Sequence, residues 1–161
     1  MTTRLRVPVN TGNFFFEKGA FYPDNQGILV GDNPITRESY GTGAYAGLII
    51  IGLSGQDGEK FKLEDMVSIV GDIRMEQAGD PGASFIAQKG LFKHKITGKR
   101  VEEDSVRIII LNLTGESDEE FKENILSLAD ELAERFNQEA VIVEFQRKGV
   151  TEEVTGIGWK K

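Results

Sequence analysis

The sequence predicts an α+β sandwich: one antiparallel sheet with two helices packed on one of its faces. Three observations point there. A strand–helix–strand pattern occurs twice in the same order. The first strand of each copy is apolar on both faces, whereas the second alternates. A well-formed helical stripe lies inside the second copy.

The repeat emerges when the chain is slid against itself. At an offset of 60, Leu48-Ile-Ile-Ile-Gly-Leu-Ser-Gly55 falls on Ile108-Ile-Ile-Leu-Asn-Leu-Thr-Gly115, and Glu59, Phe61 and Lys62 fall on Glu119, Phe121 and Lys122. At 59, Met66 to Ile69 falls on Ile125 to Leu128, and at 58, Phe85 to Lys89 falls on Val143 to Arg147. Small insertions and deletions in loops and helices produce such a drift.

The N-terminal 46 residues hold no helical period and are rich in Gly, Asn and Pro. Arg4 to Val9 alternates like a strand, which Pro8 confines to an edge because it lacks a backbone N–H. Phe14-Phe15-Phe16 and Gly27-Ile-Leu-Val30 are short apolar pieces between turns. The segment 1–46 reads as an irregular β-arm and not as an independent domain. Leu48 to Ile51 is then a strand apolar on both faces, as expected inside a sheet. Phe61, Met66, Ile69, Val70 and Ile73 give the first helix its stripe. Gly71 weakens that helix by about 1 kcal/mol, and Ala78-Gly-Asp-Pro-Gly82 is expected to end it. The second strand of this unit, around Phe85 to Lys89, mixes polar and apolar residues, which suits an edge.

A hairpin over roughly residues 92–105 leads to the second unit. Lys93, His94, Lys95, Lys99 and Arg100 surround its bend at Gly98 and read as a solvated tip. Ile108 to Leu111 repeats the doubly apolar strand. In the second helix Ser117 and Glu120 form a capping box, with acidic residues placed well for the helix dipole. Phe121, Ile125, Leu128, Ala129, Leu132, Ala133 and Phe136 recur at spacings of three and four, and Asn137 supplies a left-handed stop. Val141, Val143 and Phe145 alternate with Ile142, Glu144 and Gln146 in the last strand of the repeat. Val150 to Trp159 adds one more strand by a hairpin.

Two such units, 47–91 and 106–149, form a four-stranded sheet in the order 4-1-3-2, with the doubly apolar strands in the centre and right-handed crossovers placing both helices on one face. The arrangement resembles the ferredoxin-like α+β sandwiches. The resemblance is topological, covers about 46–149 and carries no function with it. The domain thus defined is 47–161, with the C-terminal strand at 150–159.

Composition narrows the chemistry. The chain has 161 residues, 39% hydrophobic and 28% charged, enough to bury a core without staples. It contains no cysteine, which excludes disulfides, thiolate metal sites and Cys nucleophiles. One histidine, His94, leaves no histidine zinc site within one chain. The net charge of −7, with scattered basic residues, argues against a nucleic-acid partner. No apolar run is long enough to span a membrane, and the N-terminus lacks the apolar stretch of a signal peptide. A cytoplasmic protein without cofactor or metal is expected.

No catalytic set emerges. Gly52-Leu-Ser-Gly55 and Tyr40-Gly-Thr-Gly-Ala-Tyr45 lack the Lys-Ser/Thr of a P-loop and read as turns. Glu102, Glu103, Asp104 and Glu116 to Glu120 read as solvated or capping carboxylates. Asp57-Gly58 and Asp80-Pro-Gly82 lack the alternating oxygens of a calcium loop. Gln138 and Glu139, at a helix–strand junction, and Trp159 need no ligand to explain them. The candidate ligand-binding set is Gln88, Lys89, Gln146 and Arg147, which the repeat places at equivalent points of the two second strands. Lys and Arg there suit a small anion with Gln as neutral partner. The pseudo-twofold sends them to opposite ends of the sheet, so they would converge only across a subunit boundary.

The open side of the sheet would carry about four large aliphatic side chains, each costing about 1.5–3 kcal/mol if left in water. The expected cover is the N-terminal arm, a second copy of the chain, or both. The function expected on these grounds is a non-enzymatic assembly or binding module acting as a homo-oligomer through its open face. The alternatives are a small-molecule enzyme, with its pocket between sheet and arm or between subunits, and a sensor of a small anion at a subunit boundary. An apolar pocket holding one buried carboxylate would favour the enzyme.

Overall fold

The centre of the fold is a pair of antiparallel strands, β3 (Tyr45–Gly52) and β5 (Lys99–Leu111), in which Leu48 faces Ile109 and Ile49 faces Ile108. The computed structural model describes residues 6–8, 16–30, 45–82, 85–96, 99–113, 115–148 and 150–158. Around the central pair the described strands build one seven-stranded sheet. β6 (Val141–Arg147) flanks β3, and β7 (Val150–Ile157) flanks β6. On the other side β4 (Phe85–Ile96) flanks β5. The four strands of the repeat therefore lie in the expected order β6-β3-β5-β4, all antiparallel, and the C-terminal strand lies where expected.

The N-terminal segment contributes at both rims. β1 (Arg6–Pro8) pairs with β7 at one edge, and β2 (Phe16–Val30) pairs with β4 at the other. Pro8 sits on the outermost strand, which has a partner on one side only. β2 breaks register between Glu17 and Ala20 and again between Pro23 and Gly27, which fits a Pro- and Gly-bearing rim strand.

Helices α1 (Leu63–Gly82) and α2 (Asp118–Arg135) pack on one face. Ile49 and Ile51 of β3, Ile108 and Ile110 of β5, and Val143 and Phe145 of β6 meet Met66 and Val70 of α1 and Ile125, Leu128 and Leu132 of α2 in the main core. Full burial of each such side chain contributes about 1.5–3 kcal/mol. The α2 start is capped as expected: Ser117 Oγ accepts from the Glu120 N–H at 3.1 Å, and Asp118, Glu119 and Glu120 fill the first turn. Asn137 takes φ +48° just past the helix.

The hairpin expected over 92–105 is present, with pairing from Phe92–Glu103 to Ile96–Lys99. Three expectations need correction. β4 and β6 are not edges: β2 and β7 each take up a row of backbone groups that would otherwise face water. Helix α1 runs on to Gly82, although Gly79 within the breaker run does turn left-handed at φ +64°. Finally, the offset of 60 superposes residues from opposite faces, since Ile49 lies in the core and Ile109 on the other side. A strand apolar on both faces carries no mark of its phase, so a one-residue slip leaves the match looking sound. Gly98 and Trp159 lie outside the described residues.

Two outcomes follow from this packing. A Cβ on Gly47 would stand 2.9 Å from Ile125 Cγ2, and Ile125 is fully buried and has no room to yield. Gly47→Ala should cost about 1–3 kcal/mol in urea unfolding through overpacking. Strand β1 is tied to α2 by Arg6, whose Nη1 and Nη2 donate to Glu123 Oε2 and Oε1 at 2.9 and 3.0 Å. Arg6 holds the Glu123 carboxyl below its ordinary range through these hydrogen bonds. A depressed carboxyl stabilises the fold above the unfolded-state value, and that contribution disappears as pH falls through the depressed one. In thermal melts, the advantage of wild type over Glu123→Gln should be full above the ordinary glutamate range, about pH 5, and be lost as pH falls through the depressed value of the paired carboxyl.

Candidate functional site: the open face of the sheet

Because side chains alternate along a strand, the face away from the helices is read from the register. Two rows cross it. One runs Glu144, Leu48, Ile109, Ile86, and the next runs Ile142, Ile50, Arg107, Gln88. Ala46, Leu48 and Leu111 are buried in a second apolar cluster, separate from the main core, against which Ile86 and Ile109 pack. Ile50, Ile86, Ile109, Arg107 and Gln88 are only half-buried, so the β3–β5–β4 part of this face is partly accessible.

Two charged groups interrupt the aliphatic surface. Glu144 is 7% exposed, and its Oε2 accepts from Gln146 Nε2 and, at 3.1 Å, from Thr151 Oγ1. A carboxylate removed from water to this extent is costly and is retained where hydrogen bonds and a cation stabilise it. Arg107, on the other side of β3, donates from Nε and Nη2 to Gln88 Oε1 at 3.2 and 2.7 Å.

The four residues expected to bind a ligand divide between the faces. Gln88 and Gln146 are on the open face, each hydrogen-bonded to one of these charged side chains. Lys89 lies opposite Val106, on the helix side. Arg147 is on that side too, bonded to Asp118 at 2.5 Å and Glu152 at 3.2 Å, with its guanidinium 4.6 Å from the centre of the Tyr45 ring. Period-two alternation separates each Gln from its basic neighbour, so the four do not converge in one chain.

The other polar features are accounted for by packing. Gly52 donates its N–H to Gln138 Oε1 at 3.1 Å, and Gln138 Nε2 donates to the carbonyls of Ser54 and Phe136. The Gly52–Gly55 turn is thus locked by a buried side chain. Glu116, expected to be solvated or capping, is instead buried beside Arg74 at 3.1 Å and accepts from Asn124 Nδ2. Arg74, fully buried, also bonds Gln77 and lies 5.7 Å from the centre of the Phe121 ring, so this ion pair joins the two helices. Among the described residues no group of three or more His, Asp or Glu could hold a metal ion, and no helix is long and apolar enough to cross a membrane.

Sequence reasoning missed Arg107 and Glu144. Their signal is present: each is a charged residue with apolar residues on both sides, in Val106-Arg107-Ile108 and Val143-Glu144-Phe145, at the phase of the face away from the helices. Reading β6 as an edge made Glu144 look ordinary.

Neither a family model nor a curated protein sequence matches the chain. Solved structures do. A phage SAM lyase in the apo state is 35% identical with a TM-score of 0.60, and the match covers 80% of this chain and 100% of that one. A phage SAM lyase in complex with S-methyl-5'-thioadenosine is 37% identical with a TM-score of 0.59, covering 74% of this chain and 94% of that one. These matches overturn the expectation of a non-enzymatic module and favour the small-molecule enzyme. At 35% identity over the whole length of an enzyme of the same architecture, the chain belongs to the family of phage SAM lyases.

Proposed function

We propose that this protein cleaves S-adenosylmethionine on the open face of its sheet and releases S-methyl-5'-thioadenosine. The observation that carries the reading is Glu144, a buried carboxylate set among Leu48, Ile142 and the other aliphatic residues of that face. The substrate has a sulfonium and an ammonium group, and the product thioether has neither. A carboxylate shielded from water attracts the cationic substrate and loses that attraction once the sulfur is neutral, which favours exchange of product for substrate.

The bond that breaks joins the sulfur to the four-carbon amino-acid fragment. Both electrons go to sulfur, and the thioether leaves uncharged. A lyase adds no water, so the fragment completes its valence internally, through its own carboxylate oxygen in a ring closure or through loss of a proton. When that carboxylate attacks, a positive and a negative charge disappear together. Such a step is favoured where the effective dielectric is low, as on an aliphatic sheet face. Gln146 and Thr151 belong to the site by orienting Glu144, and Gln88 belongs to it through Arg107. Lys89 and Arg147 lie on the other side of the sheet and take no part. The half-buried Ile50, Ile86 and Ile109 also support self-association, with a second copy covering the face and the pocket lying between copies.

Purified protein incubated with S-adenosylmethionine should yield S-methyl-5'-thioadenosine on chromatography. Glu144→Gln, which keeps shape and removes charge, should lower kcat/KM roughly 10–100-fold. No thioether from the wild type, or full activity in Glu144→Gln, would refute the assignment.

A further inference from the structure

We propose that Ile50, Ile86 and Ile109 seat the adenine base of the substrate, as an apolar floor beside Glu144. The inference rests on the lyase reading and adds to it the subsite for the nucleoside end. Other large aliphatic residues on this face of the central strands are shielded: Leu48, Leu111 and Ile142 are buried. Ile50, Ile86 and Ile109 are only half-buried, and they adjoin one another. Ile109 faces Ile86 directly across the β5–β4 ladder, and Ile50 lies two positions along β3 from Leu48, the partner of Ile109. The patch measures about 10 Å across the strands and about 7 Å along them, the footprint of one flat bicyclic ring. Apolar area left in water is unfavourable, and a ligand that covers it gains affinity.

The position of this floor relative to the carboxylate fits the substrate. One row of the sheet reads Glu144, Leu48, Ile109, Ile86 on four neighbouring strands. Glu144 and Ile109 are therefore about 10 Å apart, and Ile86 is about 5 Å further on. In S-adenosylmethionine the ribose separates the sulfonium from the base by about one strand spacing. A sulfonium drawn toward Glu144 thus sets the base past Leu48, over Ile109 and Ile86, with Ile50 at its side. The proposed product is uncharged, so what holds it here acts without charge. An aliphatic floor under a flat heterocycle does so by dispersion and by release of water. The base takes no part in the bond changes, so this contact is equal in ground and transition states and contributes to binding alone.

The test joins kinetics, calorimetry and labelling. With S-adenosylmethionine, Ile109→Ala and Ile86→Ala should each raise KM roughly 5–30-fold and hold kcat within about twofold of wild type. Calorimetric titration with S-methyl-5'-thioadenosine should show binding weakened by a similar factor. A retained kcat also shows that the variants fold. The photoreactive 8-azido derivative of S-methyl-5'-thioadenosine, used on the wild type, should label β4 or β5 near these residues, which decides the matter even if a variant does not fold. A fall in kcat at unchanged KM, a label confined to other elements, or a change of solution mass with no change in KM, as when a second copy occupies the isoleucines, overturns the inference. If the wild type cleaves S-adenosylmethionine while Ile109→Ala and Ile86→Ala keep a normal KM, this inference fails and the lyase reading stands. A wild type that neither cleaves S-adenosylmethionine nor binds the thioether removes both.

Discussion

The structure depends on the pairing of two strands that are apolar on both faces. β3 and β5 lie side by side in the middle of the sheet, so four rows of aliphatic side chains point up and down from one ribbon of backbone. One side is closed by α1 and α2, whose stripes supply the main core. On the other, Leu48 and Leu111 are buried while Ile50 and Ile109 remain partly accessible. Since burial of each large aliphatic side chain is worth about 1.5–3 kcal/mol, a face of this kind stays apolar unless charge serves a purpose there. That constraint makes Glu144 and Arg107 conspicuous.

Two glutamines hold these charges. Gln88 and Gln146 occupy equivalent places in the two units, at an offset of 58. Gln88 uses its amide oxygen to accept from a guanidinium, and Gln146 uses its amide nitrogen to donate to a carboxylate. One residue type serves opposite charges because an amide has both a donor and an acceptor. The two glutamines thus serve two distinct polar sites, each on a strand hydrogen-bonded along both sides.

Much of the architecture was legible because the relevant signals are local. The capping box at Ser117, the left-handed Asn137, the stripe of α2 and the doubly apolar runs each declare themselves within a few residues, and right-handed crossover fixes the strand order. What was not legible depends on pairing at long range. Nothing near Phe16 to Val30 says that it runs beside Phe85 to Ile96, and without that strand β4 looks like an edge. The phase of Leu48 to Ile51 is invisible because both of its faces are apolar, and this hid which residues share a side with Glu144. The Arg74–Glu116 pair depends on two helices meeting and leaves no trace in either one alone.

The enzyme escaped notice for a chemical reason. A search for a nucleophile, a base and an oxyanion hole presumes a substrate that needs activation. On the reading proposed above, the sulfonium substrate already contains its leaving group, and its four-carbon fragment has an oxygen able to displace it. What the protein must then supply is an environment: low polarity where charge is destroyed, a negative group toward the cation, and a fixed geometry for the chain that closes. An aliphatic sheet face with a few hydrogen-bonded charges meets these needs, and its rigidity comes from ladders that would exist without any catalysis. Such a site has no spacing rule, because its members come from separate strands and are brought together only by register. Its mark in the sequence is an isolated charge at an apolar phase, as at Arg107 and Glu144, and that mark becomes readable only after the strand order is known.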